Sequence, residues 1–96
     1  MRKFYIISYD IPDDKRRTRI SKLLSSWGER IQFSVFCCQL NPREQHKLTQ
    51  HISDLIKQNE DQVFLVEVGK VSGEHPTPEI TYFGKPWEPE PRTQII

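Results

Sequence analysis

A short N-terminal run is apolar on both of its alternating faces, and no other part of the chain restricts the fold as strongly. In a β-strand, successive side chains point to opposite faces of the sheet. The residues of one face are Phe4, Ile6 and Ser8, and those of the other are Tyr5, Ile7 and Tyr9. A strand of this composition is expected to be covered on both sides. It ends at an acid, Asp10, which continues the Phe4 face.

A helix is predicted directly after this strand. Pro12 and Asp13 open it, and Gly28 stands where a C-terminal cap is expected. Its apolar positions have helical spacing and are Ile20, Leu23, Leu24 and Trp27. Its first two turns carry the cations Lys15, Arg16, Arg17 and Arg19. Because the N-terminal end of a helix favours acids, these cations indicate contact with phosphate, with a solvated basic face as the alternative.

The segment RIQFSVFCCQL, residues 30–40, predicts two short strands. Its apolar alternation first runs through Ile31, Phe33 and Val35, and then changes phase to Phe36, Cys38 and Leu40. A regular strand cannot change phase, because a slip of one residue exchanges its faces. A tight turn or bulge is therefore expected between Ser34 and Phe36.

A second helix and a last strand complete the predicted domain. Asn41, Pro42 and Glu44 match an N-cap, a first helical position and a capping box. The inner face of this helix is predicted to be Leu48, Ile52, Leu55 and Ile56. The apolar run at residues 62–68 is then predicted to be a strand that ends at Gly69.

The predicted element order is β-α-β-β-α-β, which indicates a ferredoxin-like α+β sandwich over residues 1–78 with both helices on one sheet face. The other face needs a cover, and only 35% of the residues are hydrophobic, so a second subunit is expected to complete the core. Residues 79–96 are predicted to form a C-terminal strand, EITYFG, followed by a Pro-rich arm. We expect this segment to be exchanged across a face-to-face homodimer.

Several function classes lack their motifs in this sequence. No P-loop, G-x-S-x-G or H-E-x-x-H motif occurs, and the adjacent Cys37 and Cys38 do not have zinc-finger spacing. No stretch reaches 18 apolar residues and the N-terminus has no uncharged apolar region, so no membrane contact is expected and the protein is predicted to be cytoplasmic.

Residues 1–48 hold ten Lys or Arg against five Asp or Glu, which suggests an acidic partner. A solvated surface of uneven charge is the alternative.

Asp10 is the candidate for chemistry. Magnesium is commonly held by one or two carboxylates, phosphate oxygens and water. A two-fold dimer packed through the Ser8 and Asp10 face would bring two copies of Asp10 together. The alternative is that Asp10 only caps the turn beside Pro12.

The blocks YDIPDDKRR, residues 9–17, and RIQFSVF, residues 30–36, with the spacing to Gly28, resemble the CRISPR-associated protein 2 family. The resemblance covers the chain from Arg2 to about Val71. It implies a ferredoxin-like homodimer with its sheets face to face. It also implies the metal ligand Asp10, the motif tyrosine Tyr9, and arginines at Arg17, Arg19 and Arg30. With Arg16, these arginines are the predicted nucleic-acid-binding residues, and Tyr9 and Asp10 are the predicted catalytic residues.

The resemblance implies a role in CRISPR adaptation together with the integrase, CRISPR-associated protein 1. It also implies a magnesium-dependent endonuclease that acts on phosphodiester bonds, with duplex DNA or single-stranded RNA as the nucleic acid. A non-catalytic DNA-binding scaffold of the integrase complex is the first alternative. A ribonuclease toxin resembling virulence-associated protein D, which shares the fold and a similar strand end, is the second.

Overall fold

The computed structural model describes residues 1–75 and 77–85. Its elements are β1 (Lys3–Asp10), α1 (Asp14–Ser25), β2 (Gly28–Gln32), β3 (Val35–Leu40), α2 (Pro42–Leu55) and β4 (Gln62–Lys70). The strands form one sheet in the order β2-β3-β1-β4, and every neighbouring pair is antiparallel. The predicted α+β class is confirmed. The most apolar strand, β1, pairs on both edges and is therefore internal to the sheet.

Both helices pack on one face of this sheet. That face carries Tyr5, Ile7 and Tyr9 of β1, which are all buried. They join a single core with residues of α1, β3 and α2, namely Ile20, Leu24, Phe36, Cys38, Leu40, Leu48 and Ile52. The predicted inner faces of the two helices are thus confirmed, since Leu23, Trp27, Leu55 and Ile56 also pack against this core.

Each helix begins at a capped residue, as its sequence predicts. The side chain of Asp13 accepts a hydrogen bond from the backbone N–H of Arg16 and starts α1. Asn41 and Glu44 form a reciprocal capping box at α2, with bonds of 2.8 and 2.9 Å. Such caps satisfy backbone donors that have no partner within the helix.

The change of phase in the apolar pattern of residues 30–40 corresponds to a turn at residues 33–34, between β2 and β3. The pairing of these strands also shifts register between Arg30 and Gln32. The predicted division into two strands is therefore confirmed. It allows Phe36 to be buried with the core while Phe33 remains 57% exposed at the turn.

Gly28 does not cap α1, and that expectation is wrong. The C-cap is Ser26, and Gly28 is the first residue of β2, opposite Cys38 in β3. A Cβ atom at Gly28 would lie 2.3 Å from the carbonyl oxygen of Cys37 and 2.7 Å from the Sγ atom of Cys38. Glycine is therefore required here by the close approach of two strands.

The last strand is longer than predicted and contains an irregularity. Gly69 lies within β4 rather than after it, with a φ of 150° that favours glycine. The pairing passes from Phe4 opposite Gly69 to Tyr5 opposite Glu67, so one extra residue, Val68, is accommodated by a bulge.

The second sheet face is only partly covered. Here the term open face denotes Ile6, Ser8 and Asp10 of β1 with Phe64 and Val66 of β4, which cross-strand pairing places on one side. Phe64 is 50% exposed and Val66 is 48% exposed. At the Phe4 end of this side, the segment after β4 comes close to the sheet, where Gln39 donates a hydrogen bond to the carbonyl of His75.

The C-terminal prediction is only partly addressed by the structure. Residues 79–85 form no strand within the described chain, and residues 86–96 of the Pro-rich arm lie outside the described residues. Exchange of this segment across a dimer therefore stays a prediction. Among the described helices, none has the length and apolar character needed to cross a membrane.

Replacing Gly28→Ala is expected to lower the free energy of unfolding by about 1 to 3 kcal/mol, because the added methyl group overlaps the backbone of β3. Glu29→Ala is the control, since this neighbour is exposed, and its effect should stay within about 0.5 kcal/mol. Urea denaturation of both variants measures the difference. Equal stability of the two variants would contradict the close approach.

Candidate functional site

Asp10 is an exposed carboxylate at the end of β1. It lies opposite Gln62 in β4, whereas the pairing with β3 already ends at Ser8 and Val35. The next residue, Ile11, is 3% exposed and returns the chain to the core. The side chain of Asp10 therefore belongs to the open face, as the alternation of the sequence predicts.

Tyr9 lies on the opposite side of the strand from Asp10. Its ring is 4% exposed and stacks on Phe36 with 6.5 Å between ring centroids. Its hydroxyl donates a hydrogen bond of 3.0 Å to the carbonyl of Phe33, and its backbone N–H donates one of 3.1 Å to Ser34. The structure thus places this predicted catalytic residue in the core, where it holds the turn between β2 and β3.

Arg17 binds the backbone that follows Asp10. Its guanidinium donates hydrogen bonds to the carbonyls of Ile11, at 2.9 Å, and Pro12, at 3.3 Å, and also pairs with the carboxylate of Asp14. The side chain is only 29% exposed. Arg17 therefore stabilises the connection between β1 and α1.

Arg16 binds the loop that precedes β4. Its guanidinium contacts both carboxylate oxygens of Asp61, at 2.7 and 3.0 Å, and Glu60 at 2.9 Å. The Asp61 side chain is fully buried and also accepts a bond from the backbone N–H of Lys57. The hydrogen bond from Arg16 lowers the pKa of Asp61 and in turn raises the pKa of Arg16. The pair of Arg16 and Asp61 therefore connects α1 to the residue that precedes Gln62. Gln62 lies opposite Asp10 in the sheet.

Arg30 binds the turn between β2 and β3 from the other side. Its guanidinium lies 4.6 Å from the centroid of the Phe36 ring and donates to the carbonyl of Phe33 and to the hydroxyl of Ser21. Three of the four predicted nucleic-acid-binding arginines therefore have partners within the chain, around the end of β1. The fourth, Arg19, is exposed on α1.

The residues present fit a magnesium site only in part. Among the described residues, no group of three His, Cys, Asp or Glu side chains is placed to hold a metal ion. Mg²⁺ needs few protein ligands when phosphate and water supply the others, so an exposed carboxylate at Asp10 suits it. The two cysteines are unsuitable, because burial raises the pKa of Cys37 to about 11 and that of Cys38 to about 12.

Comparison with known proteins decides the family. The family model described as CRISPR associated protein Cas2 matches residues 1–73. The chain belongs to the Cas2 family. Cas2 is the family that the blocks at residues 9–17 and 30–36 resemble, so that interpretation is confirmed.

Curated Cas2 relatives cover most of the chain. The "CRISPR-associated endoribonuclease Cas2 3" of Chloroflexus aurantiacus is 38% identical over 77% of this chain and 80% of its own length. The "CRISPR-associated endonuclease Cas2 2" of Thermus thermophilus is 38% identical over 82% of this chain and 91% of its own. A "CRISPR-associated endoribonuclease Cas2" of Geobacter sulfurreducens is 31% identical over 100% of this chain and 99% of its own.

Solved structures agree with the fold. A hypothetical protein, TT1823, from Thermus thermophilus superposes with a TM-score of 0.71 at 38% identity, over 82% of this chain and all of that one. Streptococcus pyogenes Cas2 gives a TM-score of 0.65 at 25% identity, over 69% of this chain and 86% of that one.

Asp61 and Ser21 are residues of this region that sequence reasoning missed. Asp61 belongs to a polar run that reads only as the end of α2, and Ser21 has no motif. Their partners are distant along the chain, since Arg16 and Asp61 are 45 residues apart. One feature of the sequence could have indicated the partner of Arg16. A cation in the first turn of a helix is unfavourable, so an acid is expected near this arginine.

Replacing Asp61→Asn is expected to destabilise the fold near neutral pH, because it removes the charge that binds Arg16. Since the pKa of Asp61 is lowered in the folded state, its contribution is complete above the ordinary value of about 3.9 and is lost as the pH falls through the lowered pKa. The stability of the two proteins should therefore converge in acid. Urea denaturation across this range measures it.

Asp54→Asn is the matched control, because Asp54 is exposed on α2 and has no ion pair among the described residues. It should leave the pH dependence as in the unmodified protein. A constant difference between Asp61→Asn and the unmodified protein at every pH would show that the charge of Asp61 contributes nothing.

Proposed function

We propose that this Cas2 protein acts with the CRISPR-associated protein 1 integrase in the acquisition of new spacers and hydrolyses phosphodiester bonds in RNA or DNA. The proposal rests on family membership and on relatives that are named endoribonucleases and endonucleases. The observation that carries it is the exposed carboxylate of Asp10 at the end of an internal strand, on the sheet face that the helices leave open.

The open face is proposed to pair with the same face of a second copy, as in a ferredoxin-like homodimer. Half-exposed Phe64 and Val66 lie beside Ile6 on this face. Completing the burial of such side chains is favourable by roughly 1 kcal/mol each. A two-fold axis places identical patches opposite each other, and we expect this to put two copies of Asp10 at one site.

The chemistry follows from this pair of carboxylates. When bound, Mg²⁺ would supply activation of water and stabilisation of charge on the phosphate oxygens. Asp10 would hold the ion, and Arg17 would keep the following backbone in place through the carbonyls of Ile11 and Pro12. The reaction adds water across a phosphorus–oxygen ester bond. Tyr9, with its hydroxyl on the Phe33 carbonyl, supports the strand end from the core side.

A non-catalytic scaffold that binds duplex DNA is the second candidate. One chain offers a single carboxylate at this position, and no set of three metal ligands occurs among the described residues. The basic half of the chain would suit DNA in either role, since residues 1–48 hold the excess of Lys and Arg. Catalysis and the scaffold role are compatible with each other.

Replacing Asp10→Asn separates these two candidates. It preserves size but removes the charge that a hard cation requires, so we expect magnesium-dependent cleavage to fall by roughly a hundredfold or more, as for a loss of several kcal/mol. The fold, the dimer and duplex binding should persist. Cleavage of labelled RNA and DNA measures the loss, with Asp54→Asn as a control that keeps full activity. Undiminished cleavage by the Asp10 variant would refute the assignment of cleavage to Asp10 and leave the scaffold candidate standing.

Replacing Val66→Glu tests the dimer. A carboxylate on the open face would be buried without a partner, so the dissociation constant of the dimer should rise roughly tenfold or more. Ser53→Glu adds the same charge at an exposed position of α2, away from this face, and should leave the dimer intact. Sedimentation equilibrium measures both variants. A dimer unaffected by Val66→Glu would place the subunit contact elsewhere.

A further inference from the structure

We propose that the ring of Phe33 stacks on an unpaired base of a single-stranded nucleic acid at the Asp10 end of the sheet, and so makes this end selective for single strands. Phe33 is not among the predicted site residues. The inference rests on the proposed function in that the ligand is nucleic acid. It goes further by naming the form of nucleic acid and the side chain that recognises it.

Phe33 is an exposed aromatic residue at a tight turn. It lies between β2 and β3 and is 57% exposed, whereas Phe36 of the same segment is fully buried. Turns favour Gly, Pro, Asn, Asp and Ser, which suit the turn backbone or form hydrogen bonds with it. A large apolar ring contributes neither of these properties. Folding of the single chain therefore leaves most of the surface of this residue accessible to a ligand.

The backbone that carries the ring is held by several hydrogen bonds. The hydroxyl of Tyr9 donates one of 3.0 Å to the carbonyl of Phe33, and the guanidinium of Arg30 donates to the same oxygen. The backbone N–H of Tyr9 donates one of 3.1 Å to the carbonyl of Ser34. Because the backbone is fixed and an aromatic side chain has few rotatable bonds, the ring loses little conformational freedom on binding. The turn is therefore a preorganised support for a stacking contact.

The turn lies at the same end of the sheet as Asp10. Since β1 and β3 are antiparallel, the start of β3 lies beside the end of β1. Tyr9, which binds both carbonyls of the turn, precedes Asp10 directly in the sequence. The Cα atoms of Phe33 and Asp10 are thus separated by about 12 Å or less, two steps along the chain and one between strands. A few nucleotides span this distance, at about 3.4 Å per phosphate.

The chemistry of the turn suits a single strand rather than a duplex. Stacking on a side chain requires a base whose face is accessible, as in single strands and loops, whereas in a duplex each base is stacked on its neighbours. The turn also carries the positive charge of Arg30, and residues 30–36 contain no acid. Proteins that bind single strands combine positive charge with aromatic rings. Because every base has a face that can stack, we expect no preference for sequence.

The test measures binding by the full-length chain with a chelator present, so the result does not depend on cleavage at Asp10. One ligand is a short single-stranded RNA of mixed sequence that carries a fluorescent purine analogue, and the other is the duplex of the same sequence. Phe33→Ala removes the ring, Phe33→Leu keeps an apolar side chain without a ring, and Phe33→Tyr keeps the ring. Phe83→Ala is the matched control, because it removes a ring from a residue that is 94% exposed.

Phe33→Ala is expected to weaken binding of the single strand by roughly tenfold or more, as for the loss of one stacked base. It should also abolish the quenching of the fluorescent base, which reports stacking. Phe33→Leu should behave in the same way, Phe33→Tyr should restore both signals, and Phe83→Ala should change neither. Affinity for the duplex should stay within about twofold in every variant, because duplex binding depends on charge, which none of these changes alters. Retained duplex binding would also show that the variants are folded.

Four results would overturn the proposal. Unchanged binding of the single strand by Phe33→Ala, with a weaker dimer in sedimentation equilibrium or without one, would show that the ring does not contact the base. Full affinity in Phe33→Leu would show an apolar contact instead of stacking. An equal loss in Phe83→Ala, or an equal loss for the duplex, would show a general effect on binding. If the unmodified protein binds RNA and only the role of Phe33 fails, the proposed function stands. If it binds neither ligand, both proposals fail.

Discussion

The rest of the structure depends on β1 being hydrogen-bonded on both edges and apolar on both faces. Its pairing with β3 and β4 makes it internal to the sheet. One of its faces supports the core through Tyr5, Ile7 and Tyr9. The other face ends at the carboxylate of Asp10, the last residue of the strand. The next residue, Ile11, is buried in the core. The core and the candidate site therefore lie on opposite faces of the same eight-residue strand, β1.

The arginines around this strand end show how burial changes the role of a charged side chain. A guanidinium that loses water must be paired or hydrogen-bonded. Arg16 meets the buried Asp61, Arg17 meets backbone carbonyls, and Arg30 meets Ser21 and the ring of Phe36. Each of them holds a segment that adjoins Asp10. Residue type and motif position alone therefore do not identify the side chains that contact a ligand.

Local chemistry was predictable where the deciding contacts lie close together along the chain. The capping box at Asn41 and the two-strand division near Ser34 follow from short-range rules and are confirmed. Gly28 shows the limit of such rules. A glycine after a helix is normally read as its cap, but here a neighbouring strand passes too close for a Cβ atom. The position of β3 relative to β2 is a tertiary property that the glycine itself does not reveal.

The sequence by itself determined the element order, the burial of the helix faces, the family and the placement of Asp10 on the open face. These follow from periodicity and from motifs, which depend on neighbours within a few residues. Only the tertiary structure decided that Tyr9 points into the core beside Phe36, that Arg16 pairs with Asp61, and that Lys15, Arg19 and Lys22 remain exposed. The physical reason is that desolvation and pairing depend on groups brought together from distant parts of the chain.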